Sequence, residues 1–252
     1  MKYATLRFEE DGCIAVITVL ATVKSQDQLF ALARELSECC QQFRDNSELR
    51  VLAIIGESRE SFSIGQSLAD LGTQLPDSFS ITESLAEVER PVLAGITGDA
   101  IGPGLELALA CDVRIASQSA RFGLPHVAAG VMPWEGGTQR LLRTVGRAKA
   151  LEMILTGEPI DAREAHRIGL VSRLVNHDEV FATIMKLAQD MASKSPISME
   201  YCKEAINKGM DLTLAQGLRL EADLYYLMHS TRDREEGIRA FKEKRKPEFR
   251  GV

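Results

Sequence analysis

The chain has 252 residues, of which 45% are apolar and 26% charged, and it carries a formal net charge of −6. That length buries a substantial core in one domain or fills two small ones, and the composition excludes the disordered and fibrous classes. The negative balance argues against nucleic acid as the main partner, because duplex binding needs a basic face to neutralise phosphates.

The first predicted element is a buried strand over Cys13–Leu20. Leu29, Leu32, Ala33, Leu36, Cys40 and Phe43 follow at helical spacing and give one apolar face. Val51–Gly56 reads as the next buried strand, which completes a β–α–β unit. Ser61–Leu68 places Gly65 just before a helix, a common arrangement that is weak evidence for a site. Gly72–Ser80 reads as a surface loop, either a lid or an ordinary connection. Pro91–Ile96 is a third buried strand. From Gly136 onward helices dominate, interrupted by a strand-like run at Leu170–Val175, and the last helical segment ends near Pro247. An α/β core followed by a helical region results, and no linker or repeat asks for a division of residues 1–252 into separate domains. No segment approaches the run of about 20 apolar residues that spans a bilayer. Met1–Asp11 lacks the basic-then-apolar plan of a secretion signal, so a cytoplasmic protein without a membrane partner is expected. The cysteines, Cys13, Cys39, Cys40, Cys111 and Cys202, show no CxxC pairing, and neither a disulfide framework nor a metal site is expected.

Three segments can carry chemistry. In the first, from Gly95 to Asp112, a buried strand enters glycines that permit unusual backbone angles and then an apolar helix with one acid in its first turn. Free N–H groups at such a start favour negative charge and could hold a thioester oxygen as it gains charge; a glycine-rich turn that merely packs tightly fits these residues equally well. The acid is Glu106, set among Leu105, Leu107, Ala108 and Leu109. Burial disfavours an ionised carboxyl, so Glu106 reads as a proton carrier or as a glutamate satisfied by the helix start or an arginine. The second segment is Ser61–Leu68. The third, Phe122–Arg140, is a glycine- and proline-containing loop with His126, the only tryptophan, Trp134, and Glu135, residue types able to shape a pocket and move protons. His126 alone also fits an ordinary partly buried histidine, and His166 reads as structural.

In this order, and together with Gly136-Gly137-Thr138-Gln139-Arg140-Leu141, Leu155-Thr156-Gly157-Glu158, Ala165–Val171 and Glu236–Phe241 running to Arg245-Lys246-Pro247, these segments resemble the enoyl-CoA hydratase/isomerase (crotonase) superfamily over nearly the whole chain. The resemblance implies a spiral core of ββα turns over about residues 1–195 and a helical C-terminal region over about residues 196–252 that makes trimer contacts, often within a hexamer of two trimers. It implies an acyl-CoA substrate, with coenzyme A as part of the substrate and no separate cofactor. The thioester carbonyl would sit between two backbone N–H groups, the first from Gln66 and the second at Pro103. Glu106 matches one of the two catalytic glutamates of the hydratases, and His126 holds the place of the other. Glu135 stands near an acid of some isomerases, one position away. Ile64, Gly104 and Trp134 belong to the implied substrate site, and Lys24, Ser67, Leu68 and Lys244 to the implied CoA-facing edge.

The sequence departs from this pattern at four places. Pro103 has no N–H to donate, and Gly104 could supply one in its stead. His126 changes both charge and reach relative to glutamate. The loop between Val19 and Gln28 that would cup the adenine is short, and Ser67 replaces a common aspartate. The expected reaction is enoyl-CoA hydration or double-bond shift. Alternatives are hydrolysis or decarboxylation of a β-oxo or cyclic acyl-CoA, a carrier-protein-bound substrate, and a non-catalytic acyl-CoA-binding homologue.

Overall fold

The computed structural model describes residues 3–20, 23, 25–60, 62 and 79–252. Strand β1 (Leu6–Asp11) pairs antiparallel with β2 (Ile14–Val19), Leu6 opposite Val19 and Asp11 opposite Ile14. The two-residue turn between them contains Gly12 at φ 59°, the positive φ that a tight hairpin requires. Helix α1 (Gln26–Asp45) starts at Ser25, whose hydroxyl accepts from Gln28 N at 3.3 Å, and its buried face carries Leu29, Leu32, Leu36, Cys40 and Phe43. Glu35 shares that face because its carboxylate accepts from Ala4 N, Thr5 N and the Thr5 hydroxyl, which pins the start of the chain to α1.

β3 (Val51–Gly56), β4 (Val92–Ile96), β6 (Val113–Ser117) and β9 (Arg173–Val175) extend the sheet in parallel, giving the order β1-β2-β3-β4-β6-β9. Every residue of β3 and β4 is buried, because elements cover both faces. Residues of α1 and of α3 (Pro103–Leu109) join the core on one face. On the other, α7 (Val180–Ala192) brings Ile184, Met185 and Ala188 against Val51, Ala53, Leu93 and Ile115. The strand expected over Leu170–Val175 begins only at Arg173. Gly169 turns at φ 80°, and Val171 N bonds Ala165 O, so the run first closes the turn after α6 (Ala162–Arg167).

A second sheet, which the sequence pattern did not announce, joins β5 (Ala100–Ile101), β7 (Arg121–Gly123) and β8 (Ile160–Asp161). Short helix α2 (Glu83–Ala86) precedes β4, and α4 (Gly137–Val145) and α5 (Arg147–Thr156) lead into β8. The C-terminal region consists of α8 (Pro196–Gly209), α9 (Leu214–Met228) and α10 (Arg232–Glu243). The last helix stops short of Pro247 because Lys244 adopts φ 57°, and Arg245 then folds back onto Glu236. The loop expected over Gly72–Ser80 lies outside the described residues as far as residue 78.

The placement of α3 depends on one close approach. Ile101 N donates to Phe62 O at 3.2 Å, and a Cβ on Gly104 would stand 1.6 Å from that same carbonyl oxygen. Backbone cannot swing aside as a side chain can, so Gly104→Ala should lower stability by roughly 3 kcal/mol or more. Denaturant unfolding measures it, and a wild-type midpoint would show that α3 is not held against residue 62.

Candidate active site

Pairing in the small sheet assembles the site. β5 and β7 lie side by side with Ile101 opposite Gly123, and Gly102 N donates to Gly123 O at 2.9 Å. The two strands therefore end together. β5 continues through Gly102, at φ 61°, into α3 and Glu106; β7 continues through Leu124 into a 3₁₀ turn, Pro125–Ala129, that carries His126. Residues twenty apart in sequence thus face each other, with His126 Nε2 3.5 Å from Glu106 Oε2 and both side chains fully buried.

The loop from Pro133 to Gly137 closes over the pair. Glu106 Oε1 accepts from Glu135 N at 2.9 Å and Gly137 N at 2.7 Å. That grip fixes one carboxylate oxygen and leaves Oε2 without a hydrogen-bond partner among the described residues. His126 is in the same condition at both ring nitrogens. Its fixed neighbour is Trp134, which meets it edge to face with ring centroids 5.4 Å apart and planes at 89°. The Trp134 indole N–H is buried and also unpartnered among the described residues. Buried polar atoms usually find partners, so three side chains lacking them within one loop contact is an uncommon concentration.

Glu135 has a different assignment from its neighbours. Its Oε2 accepts from the Ser80 hydroxyl at 2.6 Å, from Ile81 N at 3.2 Å and from Thr82 N at 3.3 Å. Its carbonyl accepts from Arg140 Nη1 at 2.7 Å, and the Thr82 hydroxyl lies 3.1 Å from both that carbonyl and Oε2. The side chain therefore ties the Glu106-gripping loop to the segment before α2, while its second oxygen has no partner among the described residues. Burial lowers the Arg140 pKa, and the nearby Glu106 and Glu135 charges oppose that shift. Sequence reasoning missed this anchoring by Ser80, Thr82 and Arg140. Arg140 stood in a motif already singled out, but nothing local pointed to Ser80 or Thr82.

Pro103 occupies the first position of α3, and the adjacent Gly104 N–H has no acceptor among the described residues. Lys244 caps α10 in the C-terminal region, exposed. Lys24, Ile64, Gln66, Ser67 and Leu68 lie outside the described residues. His166 is structural as expected, its Nδ1 3.0 Å from Val171 O. A groove of about 740 Å³ beside α8 and a cleft of about 460 Å³ beside α1 open elsewhere, and neither is lined by Glu106 or His126. Chemically, the site offers a carboxylate with one oxygen fixed and one free, beside an imidazole with both nitrogens available, which is an acid–base pair able to hold a water molecule.

The family model described as enoyl-CoA hydratase/isomerase matches residues 12–252. A probable enoyl-CoA hydratase of Rhizobium meliloti (strain 1021) is 39% identical over 256 residues, covering 99% of each chain. The 2,3-dehydroadipyl-CoA hydratase of Escherichia coli (strain K12) is 38% identical, covering 88% of this chain and 89% of its own. Among solved structures, an enoyl-CoA hydratase subunit I from Geobacillus kaustophilus HTA426 superposes with a TM-score of 0.90 at 32% identity, covering 100% of both chains.

A Cβ on Gly137 would stand 2.7 Å from Glu106 Oε1 and 3.0 Å from the Pro133 Cβ. Gly137→Ala should therefore cost about 1–3 kcal/mol, read as a lower melting temperature, and a crystal structure of the variant should show Glu106 turned. A variant that melts like wild type with Glu106 in place would mean that the loop yields and its grip is slack.

Proposed function

The chain belongs to the enoyl-CoA hydratase/isomerase family, and from that membership we propose that it adds water across the double bond of a 2-enoyl-CoA thioester, with Glu106 and His126 as its two acid–base groups. The observation that carries this reading is the 3.5 Å approach of Glu106 Oε2 to His126 Nε2, both buried and both without a hydrogen-bond partner among the described residues. A water seated there meets an acceptor in Glu106 Oε2 and a donor in the protonated His126. The cycle starts with a proton on His126. Glu106 Oε2 takes a proton from the water as its oxygen bonds to the β-carbon, and the π electrons move onto the thioester oxygen to give an enolate. His126 then delivers its proton to the α-carbon, and proton transfer from Glu106 back to His126 resets the pair.

The enolate charge needs N–H donors. Pro103 supplies none, and the neighbouring Gly104 N–H, with no acceptor among the described residues, takes that place in our reading. Gln66 remains the other donor that the family resemblance names. Glu135, with Oε2 engaged by Ser80, Ile81 and Thr82, acts by holding the loop over Glu106 rather than by exchanging protons. Lys24, Ser67, Leu68 and Lys244 keep their place as the CoA-facing edge, and Ile64 as part of the acyl site. CoA enters as part of the substrate and no separate cofactor is involved.

Assembly belongs to the same reading. Ile206 at 65%, Leu214 at 79% and Tyr226 at 72% exposure leave an apolar surface on α8 and α9, which supports trimer contacts there. No helix among the described residues is long and apolar enough to cross a membrane, and a cytoplasmic acyl-CoA pool is taken as the source of substrate.

With crotonyl-CoA, the enoyl absorbance should fall and the product mass should rise by one water. Glu106→Gln and His126→Ala should each reduce kcat by roughly a hundred- to ten-thousandfold, whereas His126→Glu should keep far more. An unchanged product mass would indicate a double-bond shift and would remove the hydratase assignment, as would loss of carbon dioxide from an acyl-CoA bearing a carboxylate on its α-carbon while crotonyl-CoA is left untouched; His126→Ala at wild-type rate would remove His126 from the acid–base pair. Light scattering on the eluting protein should give a trimer or hexamer mass, and a monomer at micromolar concentration would remove the assembly.

A further inference from the structure

Water addition employs Glu106 Oε2 and the His126 imidazole and leaves one buried donor without work. The Trp134 indole N–H is shielded from solvent and has no acceptor among the described residues. A buried indole N–H normally finds a partner, so one is due in the working complex. The ring gives its neighbourhood. Trp134 stands edge to face against His126 at 5.4 Å, and His126 in turn stands 3.5 Å from Glu106. The indole ring is therefore one imidazole's width further from Glu106. An acyl chain with its double bond at Glu106 and His126 and its next carbons running toward the indole would bring a γ or δ substituent to that N–H.

Charge selects the kind of acceptor. Glu106 and Glu135 are both buried, each with one carboxylate oxygen lacking a partner among the described residues. Arg140, the guanidinium bonded to this loop, already donates to the Glu135 carbonyl and the Thr82 hydroxyl. The protonated His126 and Arg140 are already matched by these two glutamates, so a substrate carboxylate would be buried without a cation of its own, whereas a neutral oxygen needs only one hydrogen bond. We propose that this enzyme acts on enoyl-CoA thioesters whose acyl chain carries a neutral oxygen, a hydroxyl, ether or carbonyl, at the γ or δ position, and that the Trp134 N–H donates to it. The assignment rests on the hydratase reading above and makes Trp134 a specificity determinant.

Substrate pairs that exchange a hydroxyl for a methyl group test it: 4-hydroxybut-2-enoyl-CoA against pent-2-enoyl-CoA, and 5-hydroxypent-2-enoyl-CoA against hex-2-enoyl-CoA. Wild-type kcat/KM should favour the hydroxylated member of at least one pair by roughly tenfold or more. Trp134→Phe keeps the ring and deletes the N–H, and should bring that ratio close to one. A wild-type ratio near one in both pairs overturns the proposal, and so does a preference that survives in Trp134→Phe. An equal fall for both members would assign the N–H to a resident water and also overturns it. Faster turnover of 2,3-dehydroadipyl-CoA than of either hydroxylated substrate would make the acceptor a carboxylate and remove the neutral-oxygen assignment. Calorimetric binding of the saturated pairs, 4-hydroxybutanoyl-CoA against pentanoyl-CoA and 5-hydroxypentanoyl-CoA against hexanoyl-CoA, makes the same comparison without turnover. A chain that hydrates nothing yet prefers the hydroxylated ligands would lose the hydratase reading and keep this one. Should Trp134→Phe fail to fold, the wild-type ratios decide alone.

Discussion

The two hydrogen bonds from Glu135 N and Gly137 N to Glu106 Oε1, at 2.9 and 2.7 Å, hold the site together. They reach from the loop before α4 to the first turn of α3, so they set how two helices meet as well as how one carboxylate points. A buried carboxylate is costly unless hydrogen bonds satisfy it. Here only one oxygen is satisfied by backbone, and the other is left facing His126. The arrangement is asymmetric by construction, since any rotation that relieved Oε2 would strand two backbone N–H groups. Gly137 suits it because a Cβ at that position would stand only 2.7 Å from Oε1.

Polar groups around this contact divide into those that hold and those that wait. Glu135 Oε2, the Glu135 carbonyl, Thr82, Ser80 and Arg140 form a bonded group that anchors the loop. Glu106 Oε2, His126 and the Trp134 N–H are buried within the same region and lack partners among the described residues. A fold optimised for stability alone would not retain that second set, because each unmade hydrogen bond costs about 1–3 kcal/mol. Stable anchoring on one side of the loop allows poised groups on the other, which is the usual relation between a preorganised site and its support.

How far the sequence disclosed this depended on distance along the chain. The helical spacing from Leu29 to Phe43 and the continuous apolar runs of β3 and β4 are local signals strong enough to place α1 and two central strands. β1 was passed over because it is an edge strand with mostly exposed or half-exposed residues after Leu6, although Asp11-Gly12 is a hairpin signal. β5 and β8 have two residues each and β7 three, too short for any periodicity, yet their pairing brings His126 to Glu106. Glu106 was legible as an acid in an apolar helix and His126 as the histidine of a glycine- and proline-containing loop, while only the family resemblance matched His126 to the second glutamate's place. The engagement of Glu135 was not, since Ser80 lies 55 residues away and no local pattern encodes the meeting.

Pro103 and His126, the two departures from the family pattern inside the described site, have related consequences. A proline at the first position of a helix is well tolerated because that N–H lies outside the helical bonding in any case, so α3 forms and Glu106 is delivered as usual. What proline lacks is the N–H that the family resemblance places there, while the next N–H along the helix, that of Gly104, has no acceptor among the described residues. Both departures bear on one contact: Pro103 opens the helix that carries Glu106, and His126 stands 3.5 Å from the oxygen of Glu106 that the loop leaves free.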